Sequence, residues 1–197
     1  MIGRKIVLIG THGVGKTTLL NDFHTAHPEI SVKNELIREI AKNDPTIKVN
    51  EDGDIRSQSI FFDAYMKEMM SEEEFVIDRG ALDVVTYTGK VCERVGEFGE
   101  YERQMKELVD LHEKYNDQIT YVYIPPMIDL VGDEVRSDNA KYQKEIDDFL
   151  MNTIAMTNLE LYSRCTKLTN TYVLPATDRK ERVEQLYEVV TQHLINE

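Results

Sequence analysis

The 197-residue chain has no tryptophan, only two cysteines and no long apolar run. Cys92 and Cys165 belong to no paired-cysteine motif and are too few for a disulfide framework. No stretch approaches the roughly 20 apolar residues that a membrane-spanning helix requires, and the first apolar run ends at Gly10, too early for a signal peptide. We therefore expect a cytoplasmic protein with reduced thiols, outside the secreted and membrane-spanning classes.

Basic residues are also scarce. The chain has 23 lysines and arginines but 36 aspartates and glutamates, which gives a formal net charge of −13 at pH 7. Such a charge repels polyanions at long range and disfavours a general nucleic-acid-binding function, although a local basic cleft would still hold phosphates. The composition, 41% hydrophobic and 30% charged, is that of an ordinary globular protein. The length predicts one domain over residues 1–197.

Short apolar runs alternate with longer segments of helical periodicity along the whole chain. The runs predict strands at 5–9, 30–33, 75–77, 119–124 and 171–174. Helices are predicted at 16–27, 36–40, 54–71, 82–95, 101–115 and 139–164, with a last helix capped by Thr177 or Asp178. Strands separated by helices are joined as parallel neighbours by right-handed crossovers. The predicted fold is a three-layer α/β/α sandwich with a five-stranded parallel sheet.

One motif carries specific chemistry. Residues 10–17 fit the phosphate-binding loop G-x-x-x-x-G-K-[ST], follow a predicted strand and open a predicted helix. In such a loop the backbone N–H groups converge on one anion, and the helix amino terminus adds favourable partial charge. The motif therefore predicts binding of a nucleoside triphosphate with Mg²⁺. The residues predicted to bind it are Gly10, Thr11, His12, Gly13, Val14, Gly15, Lys16, Thr17 and Thr18.

Two residues of this motif and the residue that follows it have distinct predicted roles. Lys16 is expected to reach the β- and γ-phosphates and to face solvent when no ligand is bound. The Thr17 hydroxyl is expected to ligate Mg²⁺, and Thr18 to contact the α-phosphate.

A second group of candidates follows the third strand, where an open α/β sheet places its ligand crevice. Asp78 there is expected to hold Mg²⁺ through water or to activate a nucleophile, and Arg79 to hold a phosphate or stabilise transition-state charge. The alternative is structural, with Asp78 capping the next helix and Arg79 in a surface ion pair. Asp83 is expected to pair with Arg79 or to cap that helix.

Two further candidates are weaker. Glu35, at the end of the second strand with Arg38 one turn later, is placed to accept the proton of an attacking hydroxyl; alternatively it is a first-turn glutamate favoured by the helix dipole. Arg136 lies in a long polar loop, 128–138, typical of a lid that brings an arginine over phosphates. The alternative is a solvated acidic loop.

The aromatic and methionine side chains between residues 61 and 70 are predicted to pack in the core. Alternatively, the aromatic ones line a pocket for the acceptor.

The segments 10–18, 35–38, 75–83 and 133–137 together resemble the small P-loop kinases. The resemblance is to the AAA-type ATP-binding domain of the ribosylnicotinamide-kinase kind, and more distantly to deoxynucleoside and thymidylate kinases.

That resemblance implies a P-loop NTPase fold with ATP and Mg²⁺ as cofactors and a small-molecule acceptor. It implies Glu35 or Asp78 as the base, Arg79 and Arg136 on phosphates, and residues 175–177 near the adenine. Gly80 stands where this class usually has Ser, Tyr or Phe.

The chain is therefore predicted to be an ATP-dependent kinase that moves the γ-phosphate to a nucleoside, a nucleotide or a related small metabolite, with a homodimer possible. Two alternatives stay open. One is a nucleotide-hydrolysing regulatory switch, although the guanine-reading motif Asn-Lys-x-Asp does not occur. The other is a kinase of modified bases or ends in DNA, which the net charge disfavours.

Overall fold

The structure, a computed structural model, describes residues 2–34, 36–127 and 139–195. Two predicted features lie outside the described residues: the candidate base Glu35, and the lid 128–138 with Arg136. Within the described ranges no helix is both long and apolar enough to span a membrane.

Five parallel strands form one sheet in the order β2-β3-β1-β4-β5. The strands are β1 (Lys5–Ile9), β2 (Val32–Lys33), β3 (Phe75–Asp78), β4 (Ile119–Tyr123) and β5 (Asn170–Val173). β2 is shorter than predicted because it is an edge strand that pairs with β3 through only Val32 and Lys33. The predicted five-stranded parallel sheet is confirmed.

In the described ranges seven α-helices connect and flank the strands, and their bounds agree with the prediction to within two residues at nearly every end. The helices are α1 (Lys16–Ala26), α2 (Leu36–Asn43), α3 (Ile55–Met69), α4 (Ala81–Val95), α5 (Gly99–Tyr115), α6 (Ala140–Cys165) and α7 (Arg179–Val190). A 3₁₀ turn, Asn50–Asp52, lies in the predicted loop before α3, and a π-helical turn, Thr191–Ile195, follows α7. Asp178 rather than Thr177 caps α7, accepting from the Lys180 and Glu181 amides.

Alternate residues of the central strand point into two separate apolar cores. Val7 and Ile9 join the core beneath α3, α4, α5 and α6, whereas Ile6 and Leu8 join the core beneath α1 and α7. All five residues of β1 are buried, as expected of a parallel strand covered on both faces. The molecule is therefore the predicted three-layer α/β/α sandwich, and the carboxyl ends of β1 and β3 open side by side at one edge of the sheet.

Candidate active site

The turn between β1 and α1 depends on glycine. Gly10, Gly13 and Gly15 have φ values of 147°, 77° and 89°, in the region that side chains disfavour. A Cβ on Gly10 would lie 2.7 Å from the carbonyl oxygen of Ile124, so the loop packs too closely on the chain after β4 for any larger residue. Gly15 ends the loop directly before the first helical residue. The motif therefore has the strand–loop–helix setting that phosphate binding requires.

Lys16 does not face solvent, and that expectation is wrong. Its side chain folds back over the loop, where Nζ donates to the carbonyl oxygens of Gly10 and Thr11, both at 2.7 Å. The residue is only 5% exposed. A buried ammonium needs hydrogen-bond acceptors, and the loop carbonyls are the acceptors at hand without a phosphate. Lys16 is therefore already held at the mouth of the loop.

Thr17 and Asp78, the two predicted metal ligands, lie together. The Thr17 hydroxyl donates to Asp78 Oδ2 at 2.5 Å, and the Tyr65 hydroxyl donates to the Asp78 carbonyl at 3.3 Å. Asp78 is 7% exposed, yet its other carboxylate oxygen, Oδ1, is buried with no hydrogen-bond partner among residues 2–34, 36–127 and 139–195. A buried acceptor with no protein donor is suited to a cation or a water molecule. The pair therefore fits an oxygen-ligand site for Mg²⁺.

Asp83, and not Asp78, caps α4. Its Oδ2 accepts from the Gly80 amide at 3.2 Å, and its Oδ1 accepts from the Gly10 amide at 3.3 Å. Burial raises the pKa of the Asp83 carboxyl, although Lys16 and Arg79 act in the opposite direction. Asp83 therefore ties the start of the phosphate loop to the turn after β3.

Arg79 lies in that turn with a φ of 76°, a left-handed conformation that costs a non-glycine residue about 1–2 kcal/mol. Its guanidinium stands 5.5 Å from the centroid of the Tyr87 ring and lines the cleft. Burial works against the charge, but Tyr87, Asp83 and Asp78 together raise the pKa of Arg79, so it stays cationic. The strained backbone aims this charge into the cleft rather than into a surface ion pair.

The packing around Gly80 explains why no larger residue stands at this position. Its backbone is extended, and a Cβ there would lie 2.6 Å from Val7 Cγ1. The turn after β3 therefore rests directly on the central strand.

His12 is buried in the loop as a neutral base. Its Nδ1 lies 3.4 Å from the Tyr87 hydroxyl, its ring stacks on Tyr142 with centroids 5.6 Å apart, and no group in the described part of the chain bonds to its Nε2. Burial lowers the pKa of His12 to about 4, with a contribution from the positive charges of Arg79 and Lys16.

Beyond the loop the cleft continues into a second half. The space inside the whole cleft, open solvent at its mouth included, is about 960 Å³. This second half is lined by Ile37, Arg38, Val49, Asn50, Gln58, Phe61, Tyr65, Val84 and Tyr87. Phe61 and Tyr65 serve both predicted purposes, because they belong to the core and also line the cleft, whereas Met70 is exposed.

Two residues with no signal in the motif hold the loop from behind. Gln143 of α6 donates to the His12 carbonyl at 2.8 Å, and Arg182 of α7 donates to the carbonyls of Val14 at 2.8 Å and Ala176 at 2.6 Å. The predicted adenine loop, 175–177, is thereby joined to the phosphate loop.

Some predicted roles remain predictions. Thr18 is exposed in the first turn of α1, outside the residues that line the cleft. The proposed roles of Glu35 and Arg136 have no described geometry.

The fold and the loop define a P-loop nucleotide-binding protein. Residues 5–165 match the family model described as "AAA domain", and the chain belongs to that family. No curated protein sequence is significantly similar to the chain.

Solved structures of similar fold include the NadR protein in complex with NR, with a TM-score of 0.65, 16% identity and coverage of 100% of this chain. The chain spans about half of that NadR chain, 53%. The deoxyadenosine kinase from M. mycoides gives 0.60 at 16% identity, with 95% of this chain and 98% of the other covered. The thymidylate kinase from Candida albicans gives 0.57 at 12% identity, with 97% and 92% covered. At these identities the likeness establishes the fold.

Proposed function

We propose that the protein is an ATP- and Mg²⁺-dependent kinase that transfers the γ-phosphoryl group to a nucleoside, a nucleotide or a related small metabolite. The observation that carries the proposal is the two-part cleft. A phosphate loop opens directly into a second pocket with an aromatic wall, Phe61, Tyr65 and Tyr87, and Arg79 lines the same cleft. A protein that only hydrolyses a nucleotide needs water at that position and no second pocket.

The loop half has what a magnesium-bound triphosphate requires. Lys16 leaves two carbonyl partners and binds the β- and γ-phosphates, which satisfy its charge better than neutral oxygens do. The Thr17 hydroxyl and the unpartnered Oδ1 of Asp78 supply adjacent oxygen ligands for Mg²⁺, directly or through water. When bound, the ion neutralises charge on the β- and γ-oxygens.

The second half suits a small, flat acceptor. Its aromatic and aliphatic wall offers stacking and apolar contact, and Gln58, 4% exposed, brings an amide that both donates and accepts hydrogen bonds. The structures of similar fold support this class of acceptor, because NadR was solved in complex with NR, and deoxyadenosine kinase with dCMP as a product. The net charge of −13 favours a small acceptor over DNA.

The transfer itself needs few protein groups. The acceptor hydroxyl attacks the γ-phosphorus, the bond to the β,γ-bridging oxygen breaks, and ADP leaves. The hydroxyl proton passes to a carboxylate, Asp78 or Glu35, while Arg79 stabilises charge on the transferring group. Most of the rate enhancement then comes from positioning and charge neutralisation.

The test is ADP release with Mg²⁺ and ATP, alone and with nucleosides, nucleotides, ribosylated bases or duplex DNA as acceptors. The proposal expects release stimulated at least about tenfold by a small acceptor, together with a phosphorylated product identified by mass spectrometry. Acceptor-independent hydrolysis alone favours the regulatory-switch alternative, and stimulation by DNA alone favours the nucleic-acid kinase. Either result contradicts the proposal.

A further inference from the structure

Two buried side chains grip alternate peptide units of the phosphate loop from outside the cleft. Gln143 Nε2 donates to the His12 carbonyl and Arg182 Nη1 donates to the Val14 carbonyl, both at 2.8 Å. The two donors are 8% and 3% exposed and come from different helices, α6 and α7, so the loop is held between them. Neither residue is among those that line the cleft.

Because of the geometry of the peptide bond, these two contacts also orient two N–H groups of the loop. In a trans peptide the C=O and the following N–H point in opposite directions, and no cis peptide occurs in the described chain. A bond that fixes the His12 carbonyl on the outer side therefore turns the Gly13 N–H inward, and the bond to Val14 does the same for the Gly15 N–H. Gly13 and Gly15 both line the cleft. Their N–H groups are the kind of donors that a phosphate loop offers to an anion.

Arg182 has a second unusual property. Its partners are two neutral carbonyls, those of Val14 and Ala176, and among the described residues no carboxylate pairs with it. Its Nη2 is buried, and the described residues offer it no hydrogen-bond partner. Burial lowers the pKa of this guanidinium. A buried charge without a counterion lowers the stability of the fold. A triphosphate bound to the Gly15 N–H would lie on the other side of the peptide unit that Arg182 contacts, and it would supply the missing negative charge.

We propose that Gln143 and Arg182 form a rear clamp that sets the phosphate-binding geometry of the loop, with the Arg182 charge as an added attraction for the phosphates. Because Arg182 also holds the Ala176 carbonyl, the clamp fixes the loop after β5 to the phosphate loop. Both are positioning residues. The inference rests on the proposed nucleotide-binding function and adds residues that act without touching the ligand.

The test compares the affinities of the full chain for adenosine, ADP and ATP with Mg²⁺, by calorimetry. Arg182→Met should weaken ATP binding at least about tenfold, the effect of removing or misdirecting a charge-assisted hydrogen bond, and should weaken adenosine binding by a clearly smaller factor, since only the bond to the Ala176 carbonyl serves the loop after β5. Arg182→Lys, which keeps the charge but reaches one carbonyl at a time, should fall between. Arg179→Met is the matched control, because it removes an exposed arginine of the same helix that pairs with Asp22 on the surface, and it should match the wild type.

Gln143→Leu tests the clamp independently, since it removes one donor without changing the charge. It should weaken ATP binding about three- to tenfold, the range for removal of a neutral hydrogen bond, and it decides the matter if Arg182→Met fails to fold. In NMR spectra the Gly13 and Gly15 amides should shift on addition of ADP to wild type, and less in each variant.

Equal weakening of adenosine and ATP would assign Arg182 to the base or to general stability and overturn the inference. Unchanged ATP affinity in Gln143→Leu together with Arg182→Met or Arg182→Lys would also overturn it. If the wild type binds no triphosphate, the proposed function itself fails, which is a different result from wild-type binding that the variants leave intact.

Discussion

The two halves of the cleft are built on different physical principles. The loop half is made largely of backbone, with three glycines of positive φ and with carbonyls and amides held by Asp83, Gln143 and Arg182. The second half, which we propose binds the acceptor and call the acceptor half, is made of side chains, mainly aromatic and aliphatic, from α2, α3, α4 and the turn before α3. A site made of backbone groups binds the phosphate chain, which many ligands share. A pocket made of side chains contacts the groups that differ between ligands and therefore determines specificity. Variants should therefore separate into those that affect turnover of any triphosphate and those that affect the choice of acceptor.

The largest effect should come from Lys16→Ala. The substitution removes the charge that serves the β- and γ-phosphates, and such an interaction is worth about 2–4 kcal/mol in the transition state, or about 10²–10³ in rate. Turnover should fall by that factor with every acceptor, while far-UV circular dichroism stays unchanged. Lys180→Ala, at an 87%-exposed lysine side chain on α7, is the control. Retention of more than a tenth of wild-type turnover would remove the loop from the mechanism.

Asp78→Asn should rank next, with kcat lowered about 100-fold. The amide oxygen still accepts from the Thr17 hydroxyl, so the local packing survives while the charge for a metal or a proton is removed. The measurement is single-turnover phosphoryl transfer across a series of Mg²⁺ concentrations. Near-normal transfer would mean that Asp78 is structural, and the search for the base would move to Glu35.

These two predictions concern residues whose place in the site could be predicted from the sequence. Glycine spacing and a following helix are local signals, and strand ends in a parallel sheet meet at one edge, so Thr17 and Asp78 are expected near one another although 61 positions separate them. The clamp is different. Gln143 lies 131 positions from His12 and Arg182 lies 168 positions from Val14, and each pairing depends on how a helix packs rather than on any local pattern. The inward position of Lys16 likewise depends on where the loop carbonyls point, which composition does not reveal.

A variant of the acceptor half should behave in the opposite way. Gln58→Leu keeps the volume of a buried side chain that lines the cleft but removes its hydrogen-bonding amide. The acceptor KM should rise about tenfold, since removing one hydrogen bond to a substrate costs about 1–2 kcal/mol, and the Kd for ATP should stay within twofold. Gln185→Leu on α7, on the opposite face of the sheet, is the control. An equal weakening of ATP binding would show that the two halves are not separable.

The smallest predicted effect is on the pKa of a buried histidine, His12, for which a second buried histidine, His112, serves as the comparison. Burial lowers the pKa of His12 and of His112 to about 4 each, but the positive charges of Arg79 and Lys16 also lower the pKa of His12, whereas His112 bonds to two neutral side chains, Asn116 and Tyr121. In the unfolded chain both bind protons at an ordinary pKa of about 6.5. Between pH 6.5 and about 4 the unfolded state therefore holds more protons, so the free energy of unfolding should decrease as the pH falls through that window.

Bound nucleotide should change the pKa of His12 but not the pKa of His112. A bound triphosphate draws the Lys16 ammonium away from its carbonyls and adds negative charge beside His12, and both changes favour the imidazolium. We expect the pKa of His12 to rise by about one unit with a non-hydrolysable ATP analogue and Mg²⁺, as opposite charges at short range produce, while that of His112, in the core beneath α5, stays constant. Ring-nitrogen NMR across pH 3.5–7.5, with and without the analogue, measures both in one sample. Equal shifts would indicate a global change in stability, and no shift at His12 would place the phosphates away from this side of the loop.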